Sequence, residues 1–272
     1  MKYAIIGDIH SNLQAFTAVL DKCKQEGVEG YICVGDIVGY NANPAECLEM
    51  IRGINLLAVV KGNHDEYASN DDDTMIGFNP HAKAAVLWTK SHLIEGQREW
   101  LKNLHFKQTV RGANTTIVHA TLDSPESWGY IFDIYQAKDN FTYQFTQLCF
   151  CGHSHVPIAF KRQPFSSSPG AIPVEEIESW KGSKISMEKA KPGDNLDPDP
   201  VIHLDKGSKY LINIGSVGQP RNRDPRASFA IYDSTTATVT RFRLEYDIAG
   251  AQKTIRDSGL PERLALRLAT GN

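Results

Sequence analysis

The sequence predicts an α/β protein built on parallel strands. Three observations carry that reading: short apolar runs end at glycine, stretches with one apolar helical face separate them, and polar residues gather just past each run. Tyr3-Ala4-Ile5-Ile6, ending at Gly7-Asp8, suits a buried strand. Ser11 or Asn12 can cap a helix with Leu13, Phe16, Val19, Leu20 and Cys23 on one face, closed by Gly27. Tyr31-Ile32-Cys33-Val34 is the next strand and ends at Gly35-Asp36. Asn43-Pro44 places a cap and a first-turn proline ahead of a helix running to about Arg52. Leu56-Leu57-Ala58-Val59-Val60 is a third strand, ending at Gly62-Asn63-His64-Asp65.

Helices are expected over 82–93 and 97–104, then strands over 106–110 and 115–118, the second leading to His119. A helix over 135–145 precedes a strand over 148–151 that ends at Gly152-His153-Ser154-His155. Closing strands are expected over 210–214, 228–233 and 238–246, and a short helix over 262–269. From 163 to about 200 the texture changes: six of the 13 prolines and the run Ser166-Ser167-Ser168 fall there. That stretch reads as an insertion, a surface loop or a flap, within a single domain spanning 1–272. In open α/β sheets the carboxyl edge of the strands is where ligands bind.

The charge balance narrows the partners. With 29 basic and 32 acidic residues, the 272-residue chain has a formal charge of −3. It carries no footprint for general nucleic-acid binding or for a membrane surface, while a small phosphorylated substrate remains compatible with a locally positive site. The opening Met1-Lys2-Tyr3 runs directly into a short strand, and no apolar stretch approaches a bilayer span, so a cytoplasmic location is expected. The five cysteines are scattered, and Cys149 and Cys151 form C-x-C rather than a zinc-type C-x-x-C. Reduced, buried thiols are the expectation.

The chemistry lies in Asp8-Ile9-His10, Gly35-Asp36, Gly62-Asn63-His64-Asp65, His119 and Gly152-His153-Ser154-His155. Each alone has a bland explanation: Gly-Asp is a turn dipeptide, and a lone histidine is usually a surface or core residue. Together they sort. Five of the nine histidines (His10, His64, His119, His153, His155) fall just past expected strands, whereas His81, His92, His105 and His203 read as structural. Carboxylate, imidazole and one amide oxygen, with no thiolate, suit Mn, Fe, Zn or Co rather than a structural zinc cluster. Two such ions ~3.5–4 Å apart can trap a hydroxide and clamp both oxygens of an in-line displacement at phosphorus.

In this order the motifs resemble the calcineurin-like metallophosphoesterase superfamily. Gly35-Asp36-Ile37-Val38-Gly39-Tyr40 and Gly215-Ser216-Val217-Gly218-Gln219-Pro220-Arg221 resemble its small prokaryotic, phosphodiesterase-like branch. The resemblance implies a four-layer sandwich of two mixed β-sheets flanked by helices. It implies two divalent metal ions, one held by Asp8, His10 and His155, the other by Asn63, His119 and His153, with Asp36 bridging. His64 would be the catalytic proton donor or phosphate contact, with Asp65 orienting its ring, and Arg221 would bind substrate or serve as a structural partner of Asp224 or a carbonyl. The activity implied is hydrolysis of a phosphodiester or phosphomonoester. Alternatives are a phosphoanhydride hydrolase acting on a dinucleoside polyphosphate, or an inactive scaffold, which would lack a ligand that this chain retains. Gly62-Asn63-His64-Asp65-Glu66-Tyr67 lacks the arginines expected of the superfamily's protein serine/threonine phosphatases.

Overall fold

A computed structural model describes residues 1–75, 78–164, 172–181 and 199–272. Period-two patterning organises it. In β1 (Lys2–Ile6), Tyr3 and Ile5 face one core while Ala4 and Ile6 face another. In β6 (Leu148–Cys151), Leu148 and Phe150 share the core of Tyr3 and Ile5, and Cys149 and Cys151 turn to the opposite side. A strand buried on both faces must be apolar throughout, which is why these runs do not alternate with polar residues.

The shared core lies between two six-stranded sheets. The first sheet contains β1, β2 (Gly30–Cys33), β3 (Leu56–Val59), β9 (Val201–His203), β11 (Ala227–Asp233) and β12 (Thr238–Leu244), in the order β3-β2-β1-β11-β12-β9. The second contains β4 (Lys107–Val110), β5 (Thr115–Val118), β6, β7 (Ile158–Arg162), β8 (Val174–Glu176) and β10 (Lys209–Asn213), in the order β4-β5-β6-β10-β7-β8. Both are mixed: β1 runs parallel to β2 and antiparallel to β11, and β6 runs parallel to β5 and β10. Parallel strands alone would describe a doubly wound sheet; the antiparallel returns make a sandwich.

Helices cover the outer faces. α1 (Leu13–Gln25) and α2 (Pro44–Gly53) pack Phe16, Val19, Leu48 and Ile51 on the first sheet. Asn12 caps α1, its side chain accepting from the Ala15 amide at 3.1 Å. Then come α3 (Asn63–Ser69), α4 (Pro80–His92), α5 (Glu95–Lys102) and α6 (Ile134–Tyr143), the last laying Ala137 and Phe141 on the second sheet. α7 (Ile248–Asp257) and α8 (Glu262–Leu268) pack against α4 through Ala82, Ala85, Ile255 and Leu264. All five cysteines are buried and free. No helix among the described residues is long and apolar enough to cross a membrane.

Within the expected insertion at 163–200, residues 165–171 and 182–198 lie outside the described residues. The described piece between them joins the second sheet as β8, which pairs with β7, and a turn of 3-10 helix follows. Trp180 in that turn is fully buried between the sheets, donating from Nε1 to the Asn213 carbonyl at 2.8 Å.

Candidate metal centre

Asp8, His10, Asp36, Asn63, His119, His153 and His155 all lie just past parallel strands β1, β2, β3, β5 and β6, or in the first turn after them. Two sheets thus aim their carboxyl edges at one place. The backbone there is unusual: Asp8 (φ 48°), His10 (49°), Asp36 (53°), His153 (67°) and His155 (58°) are all left-handed. A non-glycine residue held so costs ~1–3 kcal/mol, and persists only where its surroundings over-determine it. Here the loops cross-tie. The Asp8 amide donates to Gly35 at 2.9 Å, the His10 amide to the Asp36 carbonyl at 3.0 Å, and the Gly218 amide to the Asp8 carbonyl at 2.8 Å.

Asp65 supplies the central tie. Its carboxylate accepts from the amides of Asp36 (2.8 Å), Ile37 (2.9 Å), Val38 (3.3 Å) and Gly62 (3.0 Å). This corrects the expectation that Asp65 orients the His64 ring, since its two oxygens are committed to the backbone. Burial and the neighbouring Asp36 charge push Asp65 up to about 7.

The glycines of the motifs are spacers. A Cβ on Gly62 would overlap Asp36 Oδ1, and one on Gly152 would overlap Asp8 Oδ2. We expect Gly152→Ala to displace the Asp8 carboxylate, lowering stability by about 1–3 kcal/mol and weakening metal uptake. Denaturant unfolding and metal titration would read this, and wild-type metal binding in the variant would refute it.

Ligand-capable atoms of Asp8, His10, Asp36 and His155 lie within 4.8 Å of one another. His10 Nε2 and His155 Nε2 are 3.0 Å apart. In both rings Nδ1 faces a backbone carbonyl, Val38 at 3.0 Å for His10 and Gln219 at 2.6 Å for His155. A carbonyl only accepts, so the proton of each neutral ring belongs on Nδ1 and both Nε2 atoms present lone pairs to each other. Asp8 Oδ1 stands 3.3 Å from His155 Nε2, and Asp36 Oδ2 stands 3.4 Å from His10 Nε2. Converging bare lone pairs and carboxylates fit a cation between them.

The remaining residues form an adjoining group. His153 Nε2 faces the Trp128 carbonyl at 2.9 Å, leaving Nδ1 to face Asn63 Oδ1 at 3.0 Å, again acceptor against acceptor. His119 donates from Nδ1 toward the Val34 carbonyl at 2.8 Å, with Nε2 3.3 Å from Asp36 Oδ2. Asp36 Oδ2 therefore lies beside His10 on one side and His119 on the other. The structure brings all seven expected residues together, in two sets meeting at Asp36.

Charge follows from this packing. Burial and the Asp36 charge act on Asp8 to push its carboxyl up. Burial also opposes the Asp36 charge, but His119, His64 and His10 around it hold its carboxyl well below the usual range. Burial lowers His10, His155 and His153, the last to about 4. His119 differs: burial disfavours its charge, yet the Asp36 carboxylate lifts it to about 9. In the cation-free protein this pairing stabilises the fold below the usual imidazole range and is lost as pH rises through about 9. A cation binding near neutrality must displace the His119 proton. Metal uptake should therefore release a proton and tighten as pH rises toward about 9. Calorimetry in buffers of different ionisation heat would count it; pH-independent affinity across the neutral range would contradict it.

His64 sits beside this cluster. Its amide donates to Asp36 Oδ1 at 2.9 Å, and its ring packs 4.3 Å from Tyr40 and 4.7 Å from His10. Burial lowers it to about 4, so it is neutral near pH 7, and Nδ1 has no hydrogen-bond partner among the described residues. Arg221 lines the same cleft, donating to Tyr40 Oη and Gln219 Oε1, each at 3.1 Å. The expected pairing with Asp224 is not formed: Arg226 takes Asp224 through Nε at 2.8 Å and through Nη2.

The cleft holds about 470 Å³, a size suited to a small ligand. Sequence reasoning missed part of its wall. His81, expected to be structural, lines it, and Tyr130 stacks on the His153 ring at 4.4 Å and on Phe132 at 5.2 Å. The Tyr130–His153 contact joins residues distant in sequence and leaves no periodic signal.

The chain resembles known proteins along nearly its whole length. The profile of the calcineurin-like phosphoesterase superfamily domain matches residues 1–179. The protein MJ0912 of Methanocaldococcus jannaschii is 38% identical over 270 residues, covering 98% of this chain and 97% of its own length. A metallophosphoesterase from Sphaerobacter thermophilus has a crystal structure that superposes with a TM-score of 0.78 at 35% identity, covering 100% of this chain and 99% of that one. The hypothetical protein PH1004 of Pyrococcus horikoshii, at 21% identity and a TM-score of 0.73, covers 100% and 98% and shares the fold. With the family profile covering residues 1–179 and relatives of 35–38% identity spanning nearly the whole chain, the chain belongs to the calcineurin-like phosphoesterase superfamily.

Proposed function

We propose that this protein hydrolyses phosphate esters, phosphodiesters or phosphomonoesters, with two divalent cations held by Asp8, His10 and His155 on one side and Asn63, His119 and His153 on the other, Asp36 shared. The observation that carries this is the approach of His10 Nε2 and His155 Nε2 to 3.0 Å, with each Nδ1 already engaged by a carbonyl. Two bare imidazole nitrogens buried at that separation repel unless a cation lies between them. The donor set of carboxylate, imidazole and amide suits manganese, iron or zinc.

Cations held by these residues would supply Lewis acidity toward phosphoryl oxygens and would lower the pKa of water. The chain does the rest. The carbonyls of Val38, Gln219 and Val34 fix the tautomer and aim of His10, His155 and His119. His64, neutral and lining the cleft, donates a hydrogen bond to a phosphate oxygen or to the departing oxygen. Arg221, held by Tyr40 and Gln219, presents its guanidinium to the phosphate.

The test is hydrolysis of nitrophenyl phosphate mono- and diesters by protein supplied with manganese. Activity should vanish in chelator and return on adding metal back. Metal-loaded protein inert on the whole ester panel, or activity indifferent to chelation, would overturn the reading.

A further inference from the structure

Beyond the cation cluster, the cleft carries positive charge that hydrolysis of a simple phosphate does not require. Arg263 and Arg267, one turn apart on α8, line it together with Arg221. The Arg221 and Arg267 guanidinium carbons stand 5.6 and 5.9 Å from the centre of the same Tyr40 ring. Burial and then the neighbouring Arg221 charge lower Arg267 to about 10, and Arg263 adds to that repulsion. Among the described residues no Asp or Glu side chain makes an ion pair with any of the three. Glu262, next to Arg263 in sequence, pairs with Arg256 at 2.9 Å, Asp224 pairs with Arg226, and Asp36, also in the cleft, belongs to the cation cluster. Arg267 Nε donates to the main-chain oxygen of Asn272, the last residue of the chain, and Arg221 Nε is buried with no hydrogen-bond partner among the described residues.

Three guanidiniums line one cleft with no Asp or Glu side chain in an ion pair to them among the described residues, in a protein of net charge −3, and mark a local exception to its charge balance. Like charges so arranged repel each other unless an anion lies among them. Arg221 adjoins the cation cluster, its amide donating to the His155 carbonyl at 3.3 Å. Arg267 follows beside Tyr40, and Arg263 lies further along α8. All three charges thus share one cleft with the cluster.

We infer that the cleft selects substrates bearing a second anionic group, a phosphate or a carboxylate, which Arg263 and Arg267 hold while the scissile phosphate lies at the cation cluster. The inference rests on the proposed hydrolysis for the position of the first phosphate. It favours bisphosphates, phosphorylated acids and phosphoanhydrides over esters with one neutral substituent. A planar, five-donor guanidinium is suited to gripping either anion through two parallel hydrogen bonds. α8 lies outside residues 1–179, in the C-terminal part of the chain that completes both sheets.

The experiment has two arms. In the first, chelator-treated protein is titrated with inorganic phosphate and followed by thermal shift. Wild type should bind, and Arg263→Gln combined with Arg267→Gln should weaken binding by about tenfold or more, the loss of charge-assisted hydrogen bonds. In the second, manganese-loaded protein hydrolysing nitrophenyl phosphate is inhibited by propylphosphonate, propane-1,3-bisphosphonate or 4-phosphonobutyrate. Wild type should prefer a two-anion inhibitor over propylphosphonate by about tenfold, and the double variant should lose that preference. Whichever two-anion compound is preferred identifies phosphate or carboxylate as the second group. Arg263 is exposed, so Arg263→Gln alone tests the point if the double variant fails to fold. Equal inhibition by all three compounds in wild type, or a preference unchanged by the substitutions, overturns the subsite. Protein that hydrolyses no ester, yet loses phosphate binding on substitution, retains the subsite and refutes the reaction instead.

Discussion

Asp36→Asn should abolish metal uptake and hydrolysis together. The substitution keeps the size of the side chain, and the amide oxygen can still accept from the His64 amide that now donates to Asp36 Oδ1 at 2.9 Å. The fold should therefore survive. What disappears is the single negative oxygen lying 3.4 Å from His10 Nε2 and 3.3 Å from His119 Nε2, the atom common to both ligand sets. Cation chemistry is worth several kcal/mol of transition-state stabilisation, so the rate should fall by ~10³-fold or more. Elemental analysis should show the metal content falling with it. His119 should also lose its raised pKa, because the Asp36 charge is what lifts it to about 9. A folded Asp36→Asn protein that kept full metal content and activity would remove Asp36 from the centre.

His64→Ala should separate chemistry from metal. His64 touches Asp36 only through its own backbone amide, which the substitution leaves in place. Metal content should therefore hold while kcat falls by ~10²–10³-fold, the usual worth of a positioned hydrogen-bond donor to developing charge. The ring packs against Tyr40, His10 and Phe78, so alanine also opens a void; His64→Gln fills more of it and should show the same pattern. Loss of metal in both variants would mean that His64 holds the loop rather than serving the reaction.

Much of this was legible in the chain, for identifiable reasons. β5 and β6 match their expected bounds because a four-residue run of β-branched or apolar residues, ended by a polar or glycine residue, favours a strand. The seven clustered residues were legible because each follows such a strand. Three features were not. β8, the edge strand of the second sheet, and β7 beside it carry charged residues, so Ile158–Arg162 and Val174–Glu176 do not stand out as apolar runs. α3 begins inside the motif Gly62-Asn63-His64-Asp65, where ligand residues hide a helical start. α7 has only Ala251 and Ile255 fully buried, too few to show a period. Within the site, Asp65 misled because a carboxylate beside a histidine suggests a ring partner; only the coordinates reveal that four amides claim it. The arginines of α8 were invisible as a group because helix packing, not spacing, brings them beside Arg221.

The position of the centre bears on mechanical integrity as well as chemistry. Asp8, His10, Asp36 and Asn63 hang from the first sheet, whereas His119, His153 and His155 hang from the second. A cation gripped by both groups would act as a rivet through the sandwich, resisting any sliding of one layer over the other. Resistance to heat and proteolysis would then report site occupancy even in a variant that turns over nothing.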